Sequence, residues 1–351
     1  MYEQQSTSGR KEYLCLLSVI SAISVVFLHT NGCFWHFSSD KPYWFWANIT
    51  ECIFYFAVPI FFMITGITLI DYKKKYSTKT FFLKRINKTV IPFVFWSFIA
   101  ILHCIFYTKS ITISELSLTT IFNGIWNTRF MHIYWFFIPL FFIYMTIPLL
   151  SYIEEKYKDK IFMYIILLMF LFNSFIPFII NAFGCGIDIT QHFSLGCDYI
   201  IYPILGYLLN KYYKKIISNK NLIFGIYTLA ITGLLVHMIG TYNLSMQAGE
   251  IIKTFKGYNN VPCIFYSIGI FIFLRQTEKF LMNNKVIKCI ILFLCNYTFA
   301  IYLLHKFILD YMHANMETAL NRLGLPFGII PICIIVTFLI RKIKFGNRIL
   351  P

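Results

Sequence analysis

A single histidine stands at the end of an uncharged stretch long enough to cross a bilayer: Tyr13 to Thr30 reads YLCLLSVISAISVVFLHT, and the histidine is His29. A membrane helix needs about 18 such residues in succession. An ionisable group inside one is costly enough to be a functional-site hypothesis by default. An imidazole there suits general-base work, the removal of a proton from a hydroxyl, which requires a neutral ring titrating near the working pH. The plainer alternative is an interfacial ring bonded to water or to a carbonyl. Plotted at about 100° per residue, Lys11, Ser18, Ser21, Ala22, Val25 and His29 fall within about 50° of one line, so one stripe of this helix is small and polar. Such a stripe admits a neighbouring helix or a thin ligand. Arg10, Lys11 and Glu12 precede the stretch and no A-x-A motif follows it, which reads as a retained first span rather than a removed signal.

The densest run of cations is DYKKKYSTKTFFLKRINKTVIPF, in which Lys84, Arg85 and Lys88 share one side of a helix. A cluster of this kind sets topology and attracts anionic lipid, or it holds a phosphorylated ligand with Arg85 as the bidentate group. Glu51 opens an apolar stretch that contains Pro59, Thr65 and Gly66, where a mid-depth kink is expected. Trp135, in HIYWFFIPLFFIYMTIPLL, can offer an indole N–H at a membrane boundary, and Asn173 with Pro177 interrupts a later stretch. The segment NAFGCGIDITQHFSLGCD places Asp188, His192 and Asp198 in a loop, where solvation is the favoured explanation and acceptor binding its rival. NYTFAIYLLHKF carries Tyr297, Tyr302 and His305. Cysteines show no C-x-x-C spacing, although Cys185 and Cys197 share a loop and can pair in an oxidising compartment. There is no zinc pattern, no Walker loop and no internal repeat, the last weighing against an inverted-repeat transporter.

The elements that must position these residues follow from composition. The chain of 351 residues is 58% hydrophobic and 20% aromatic with 13% charged residues, which excludes a water-soluble domain. The expected fold is all-α, a polytopic integral membrane protein of about ten transmembrane helices in one domain covering residues 1–351. The spans fall at 12 to 31, 47 to 70, 89 to 107, 133 to 152, 160 to 180, 196 to 210, 222 to 239, 260 to 275, 286 to 307 and 325 to 341. The net charge of +16 reads as topology rather than nucleic-acid binding, because basic residues of multispan proteins gather in cytoplasmic loops. With the N-terminus inside, only Lys41, Lys109, Arg129, Lys253, Lys256, Lys306 and Arg322 fall outside. Both termini are therefore assigned to the cytoplasm, and the connection between the seventh and eighth spans is the exception to the bias. The same topology puts His29, His36, His103, His132, His192, His237, His305 and His313 in outer halves of spans or outer loops. Interfacial rings are ordinary there, and proton transfer is what such a cluster would serve. Phe34, Trp35, Phe37, Tyr43, Trp44 and Trp46 form an aromatic outer loop expected at headgroup level.

Five stretches taken together resemble acyltransferase family 3, membrane-embedded acyl-CoA-dependent O-acyltransferases of surface polysaccharides, lipids and other envelope molecules. They are SAISVVFLHTNG, FAVPIFFMITG, FFLKRINKTVIPFVFWS, IYWFFIPLFFIYMTIPLL and NYTFAIYLLHKFIL, in the expected order and at the expected total length. The resemblance implies that His29 is catalytic, that Arg85 with Lys84 and Lys88 meets the CoA phosphates, and that Trp135 and His305 belong to a central cavity. Ser18, Glu51 and Tyr297 are further expected cavity residues. The family usually has an acidic residue at the place of Cys15 and an arginine at the place of Ser18. That arginine would lie three helical turns, about 16 Å, below the histidine, and here Lys11 or the Lys84 to Lys88 cluster is expected to replace it.

The activity implied is O-acyl transfer, acetyl above all, from cytoplasmic acetyl-CoA as co-substrate to a hydroxyl of an envelope polysaccharide or its lipid-linked precursor. No bound cofactor or metal is expected. The partners implied are acyl-CoA, the glycan or lipid-linked acceptor, membrane lipid and a separate extracellular enzyme, in a bacterial inner membrane. Two rival classes remain: a transporter or flippase of a glycan, lipid or small polar solute, and a non-catalytic relative, the latter motivated by Cys15 and Ser18.

Overall fold

The computed structural model describes residues 11–184, 187 and 193–351, so that Arg10, Cys185, Asp188 and His192 lie outside the described residues. Apart from one isolated bridge between Leu195 and Cys197, regular structure among the described residues is helical, as the composition predicts. The helices are α1 (Glu12–Thr30), α2 (Tyr43–Phe54), α3 (Ala57–Leu69), α4 (Thr78–Arg85), α5 (Ile91–Phe106), α6 (Leu118–Trp126), α7 (Phe137–Tyr152), α8 (Glu155–Met169) and α9 (Ile176–Phe183). They continue with α10 (Ile201–Ser218), α11 (Lys220–Leu235), α12 (Thr241–Ala248), α13 (Val261–Asn283), α14 (Lys285–Cys295), α15 (Thr298–Tyr311), α16 (Ala319–Arg341) and α17 (Gly346–Ile349).

Several of these helices join end to end. Turns of π-helix at Ile86–Val90, Phe170–Phe175 and Val236–Gly240 link α4 to α5, α8 to α9 and α11 to α12. Two of the three precede a proline, Pro92 and Pro177, whose ring clashes with the carbonyl four residues back and removes one donor; the wider turn absorbs that conflict. Counted by length and composition, seven continuous helices among the described residues can cross a membrane, or eight if the bent pair α14 and α15 is one span. The sixth and eighth expected spans are helical, as α10 and α13. They end in charged turns, with Lys211, Lys214 and Lys215 in one and Arg275, Glu278 and Lys279 in the other, which separates them from the plainly apolar set.

One local expectation is located and two are corrected. The interruption that Pro59 imposes on the second span falls at Tyr55 and Phe56, between α2 and α3; Tyr55 is the residue four before Pro59, where the proline clash falls. The ninth span is not one helix but two, α14 and α15, at 71° to each other. The guanidinium of Arg341 donates to the carbonyl of Asn296 at 2.9 Å, satisfying an acceptor that the break would otherwise expose. The aromatic outer loop divides: Trp35 and Trp46 are 49% and 57% exposed, whereas Phe34 and Trp44 are buried and pack with Cys33, Tyr43 and Ala47.

Helix α1 is the axis of the bundle. Its apolar stretch is 78% buried, against 17% for the span made of α11 and α12 and 22% for α16 at the rim. It packs against α3, α13, α14, α15 and α16. Because neighbours surround it, Leu16 and Phe27 are buried along with Ser18, Ser21, Ala22 and Val25, so the polar stripe is one side of a helix enclosed all round. Beside it, α3 and α10 cross at backbone contact. A Cβ on Gly66 would stand 1.9 Å from the carbonyl oxygen of Pro203, and one on Gly206 would stand 2.4 Å from that of Met63. Only glycine permits this approach, the usual way membrane helices gain packing where the solvent itself is apolar.

Candidate functional site

His29 occupies the last turn of α1, partly exposed, and His305 occupies the middle of α15 with none of its surface exposed. Their rings stand 5.0 Å apart between centroids, tilted by 38°. The break before α15 sets its course against α1 and α16 independently of α14, which is what brings two residues 276 positions apart in sequence together. His305 is anchored: its Nδ1 lies 2.9 Å from the carbonyl oxygen of Ile301. Two tyrosines tie α15 to the turn His132–Phe136. Tyr134 donates its hydroxyl hydrogen to the carbonyl of Leu303 at 2.9 Å, and Tyr302 donates to that of Ile133. His132 and Lys306 lie within electrostatic range of His29. Trp135, on the same turn, stacks on Tyr258 at 5.3 Å, and Tyr258 stacks on Tyr55 at 4.2 Å. Trp135, Tyr258 and Tyr55 thus form an aromatic wall.

A second polar group surrounds the chain just beyond His29. Lys256 Nζ donates to Glu51 Oε1 at 2.7 Å, with side chains only 2% and 5% exposed. The ammonium also faces the ring of Tyr55 at 3.8 Å and that of Phe34 at 4.9 Å. Glu51 Oε2 accepts from Asn31 Nδ2 at 3.3 Å, and the same nitrogen donates to the Ala47 carbonyl at 2.9 Å. On the other side, Thr30 Oγ1 donates to the carbonyl of Arg322 at 2.9 Å, and the buried Arg322 donates to the Glu317 carbonyl at 3.2 Å. Residues 30 and 31 are therefore held from both sides, which fixes the backbone next to His29. Sequence reasoning named Glu51 and missed Lys256, Tyr258, Tyr55 and Arg322. The signal was present in Lys256, which belongs to the one connection that broke the charge bias: it is a cation folded into the bundle on a carboxylate rather than a solvated loop residue.

At the other end of the bundle the cations divide into two kinds. Lys74, Lys158 and Lys211 are neutralised by Asp71, Glu155 and Asp159 at 2.7 to 3.6 Å. Lys84 and Arg85 instead lie on aromatic faces, Lys84 at 4.0 Å from the Tyr76 ring and Arg85 at 5.6 Å from that of Tyr144. The Nε of Arg85 is buried without a hydrogen-bond partner. Tyr144 lies nine residues after Trp135, or roughly 14 Å of helix, so the guanidinium sits well below the aromatic wall along the same span. Lys88 is on the neighbouring π turn and exposed.

Three remaining expected residues lie apart from the histidines. Ser18 is buried in mid-α1. Lys11 is exposed, and the cations against the start of α1 are Lys288, paired with Glu12, and Arg275, whose guanidinium lies 4.4 Å from the Tyr13 ring and 3.8 Å from that of Tyr213. Tyr297 sits at the break between α14 and α15, 5.1 Å from Arg341 and eight residues from His305, about 12 Å along the helix.

A helical bundle with seven or eight membrane-length helices, two facing histidines at one end and a cation cluster at the other defines a multi-pass membrane protein with an internal polar site. A family model described as an acyltransferase domain matches residues 12–341, nearly the whole chain, and the chain belongs to that family. No curated protein and no solved structure matches it.

Proposed function

We propose that the protein transfers an acyl group, acetyl above all, from cytoplasmic acyl-CoA to a hydroxyl of an envelope polysaccharide or its lipid-linked precursor, with His29 as general base. The observation that carries this reading is the His29 and His305 pair at the end of the most enclosed helix of an acyltransferase-family chain. Arg85, with Lys84 and Lys88 beside it, supplies cation density for the CoA phosphates. Its unmet Nε and its position partway down the span suit a donor that enters from the lysine-rich end and extends towards the histidines. His29 takes the proton of the acceptor hydroxyl as the oxygen attacks the thioester carbon. The C–O bond forms, the C–S bond breaks, and the proton passes from His29 to the departing thiolate, so no net proton is consumed. The aromatic wall of Trp135, Tyr258 and Tyr55 excludes water that would otherwise hydrolyse the thioester.

Mass spectrometry of envelope glycans and lipids from cells with and without the protein tests the reading. An acetyl mass gained on one class only when the protein is present is the expected result. Identical spectra, with the protein folded in the membrane, would overturn it.

A further inference from the structure

The protonation pattern of His305 is set by the backbone. Its Nδ1 lies 2.9 Å from the Ile301 carbonyl oxygen. A carbonyl oxygen only accepts, so Nδ1 carries the hydrogen, and in a neutral imidazole the other nitrogen is then a lone-pair acceptor. That nitrogen, Nε2, is buried and meets no hydrogen-bond partner. A buried acceptor left unmet is unfavourable, so the site favours whatever donor can reach it. The His29 ring, 5.0 Å away between centroids, is placed to do so. Two imidazoles joined by an N–H···N bond of about 3 Å have centroids about 5 Å apart when the bond lies along the line of centres, so a rotation of the partly exposed His29 ring, with His305 held by Ile301 and without movement of the helices, makes the bond.

We propose that His305 is the positioning residue for His29: its Nε2 accepts the N–H of His29 and so fixes which His29 nitrogen keeps a lone pair for the acceptor hydroxyl. The role is that of the orienting group behind a catalytic base, filled by a neutral ring whose own tautomer is locked by Ile301. The hydrogen bonds from Tyr134 to the Leu303 carbonyl and from Tyr302 to the Ile133 carbonyl hold the ring's helix in register against the turn His132–Phe136. This inference rests on the acyl-transfer reading, and its test separates the two.

Three variants of the full chain, His305→Gln, His305→Asn and His305→Leu, are compared in membranes supplied with radiolabelled acetyl-CoA. Glutamine places a carbonyl oxygen where Nε2 was, whereas asparagine keeps only a donor at the Nδ1 position. The expected result is a maximal rate lowered about a hundredfold in the Asn and Leu variants, with half-saturating acetyl-CoA unchanged, and restored to within about tenfold of wild type by Gln. A role confined to packing predicts the opposite order, because asparagine retains the bond to Ile301, and an Asn variant as active as the Gln variant would overturn the proposal. A second readout needs no activity: nitrogen-15 spectra of the histidine-labelled protein should show, for the signal lost in His305→Gln, a neutral ring protonated at Nδ1. Protonation at Nε2 instead would overturn the proposal. Wild-type membranes that transfer no label, with the Nδ1 signature intact, would overturn the acyl-transfer reading while supporting the fixed tautomer.

Discussion

Replacing Lys256 by methionine leaves the Glu51 carboxylate buried with its cation gone. The two side chains are 2% and 5% exposed and meet at 2.7 Å, so neither water nor salt can substitute for the lost partner. Breaking a buried pair from one side costs about 3–5 kcal/mol. For a chain of this size 1 kcal/mol corresponds to about 2 °C, so the unfolding temperature in detergent should fall by roughly 5–10 °C. Glu51→Gln should cost a similar amount by stranding the ammonium between Tyr55 and Phe34. The double variant, which strands no charge, should lose clearly less than the sum of the two, with a coupling of about 1–3 kcal/mol. A thiol-reactive fluorogenic dye suits the assay, because Cys15, Cys33, Cys52, Cys104, Cys263, Cys295 and Cys333 are buried, while the exposed Cys289 and the half-buried Cys197 supply the background. Since Glu51 also holds Asn31, two residues past His29, the single variants should lose acyl transfer before they lose the fold. An unfolding temperature within about 1 °C of wild type for Lys256→Met, or strictly additive single effects, would refute the pair as the clamp on the end of α1.

Arg85→Ala should raise the half-saturating concentration of acetyl-CoA about tenfold or more with little change in maximal rate, as the loss of one charge-assisted phosphate contact requires, and Arg85→Lys should recover only part of it; unchanged saturation would remove Arg85 from the donor site. Gly66→Ala drives a methyl into the Pro203 carbonyl and should destabilise the α3 and α10 crossing by about 1–3 kcal/mol, read as a lower unfolding temperature; no change would mean that the helices part freely.

The apolar spans and the residues that punctuate them were legible in the sequence because membrane helices are written in one-dimensional signals: length, charge asymmetry and proline. His29 was marked by its place at the end of a span and Arg85 by the cation run, whereas Trp135 and His305 entered as cavity residues through the family resemblance. What was not legible is how spans meet. The Tyr55 break and the α14 and α15 break both change which side chains converge, and the second turns α15 by 71° from α14. A straight-helix reading had no means of seeing that Arg341, from the far end of the chain, would satisfy the Asn296 carbonyl and stabilise the bend. Likewise, Lys256 was counted as a loop cation because its partner, Glu51, lies 205 residues earlier. Long-range pairs of opposite charge leave no local pattern, so the clamp around Asn31 emerged only in three dimensions.

The central claim is that His29 is the base for acyl transfer, and the most direct measurement is movement of label from radiolabelled acetyl-CoA into the glycan and lipid fractions of membranes carrying wild-type protein or His29→Ala. The account predicts transfer by the wild type and a loss of about a hundredfold or more in the variant, with the unfolding temperature of the two proteins alike. Transfer by His29→Ala at the wild-type rate would contradict it.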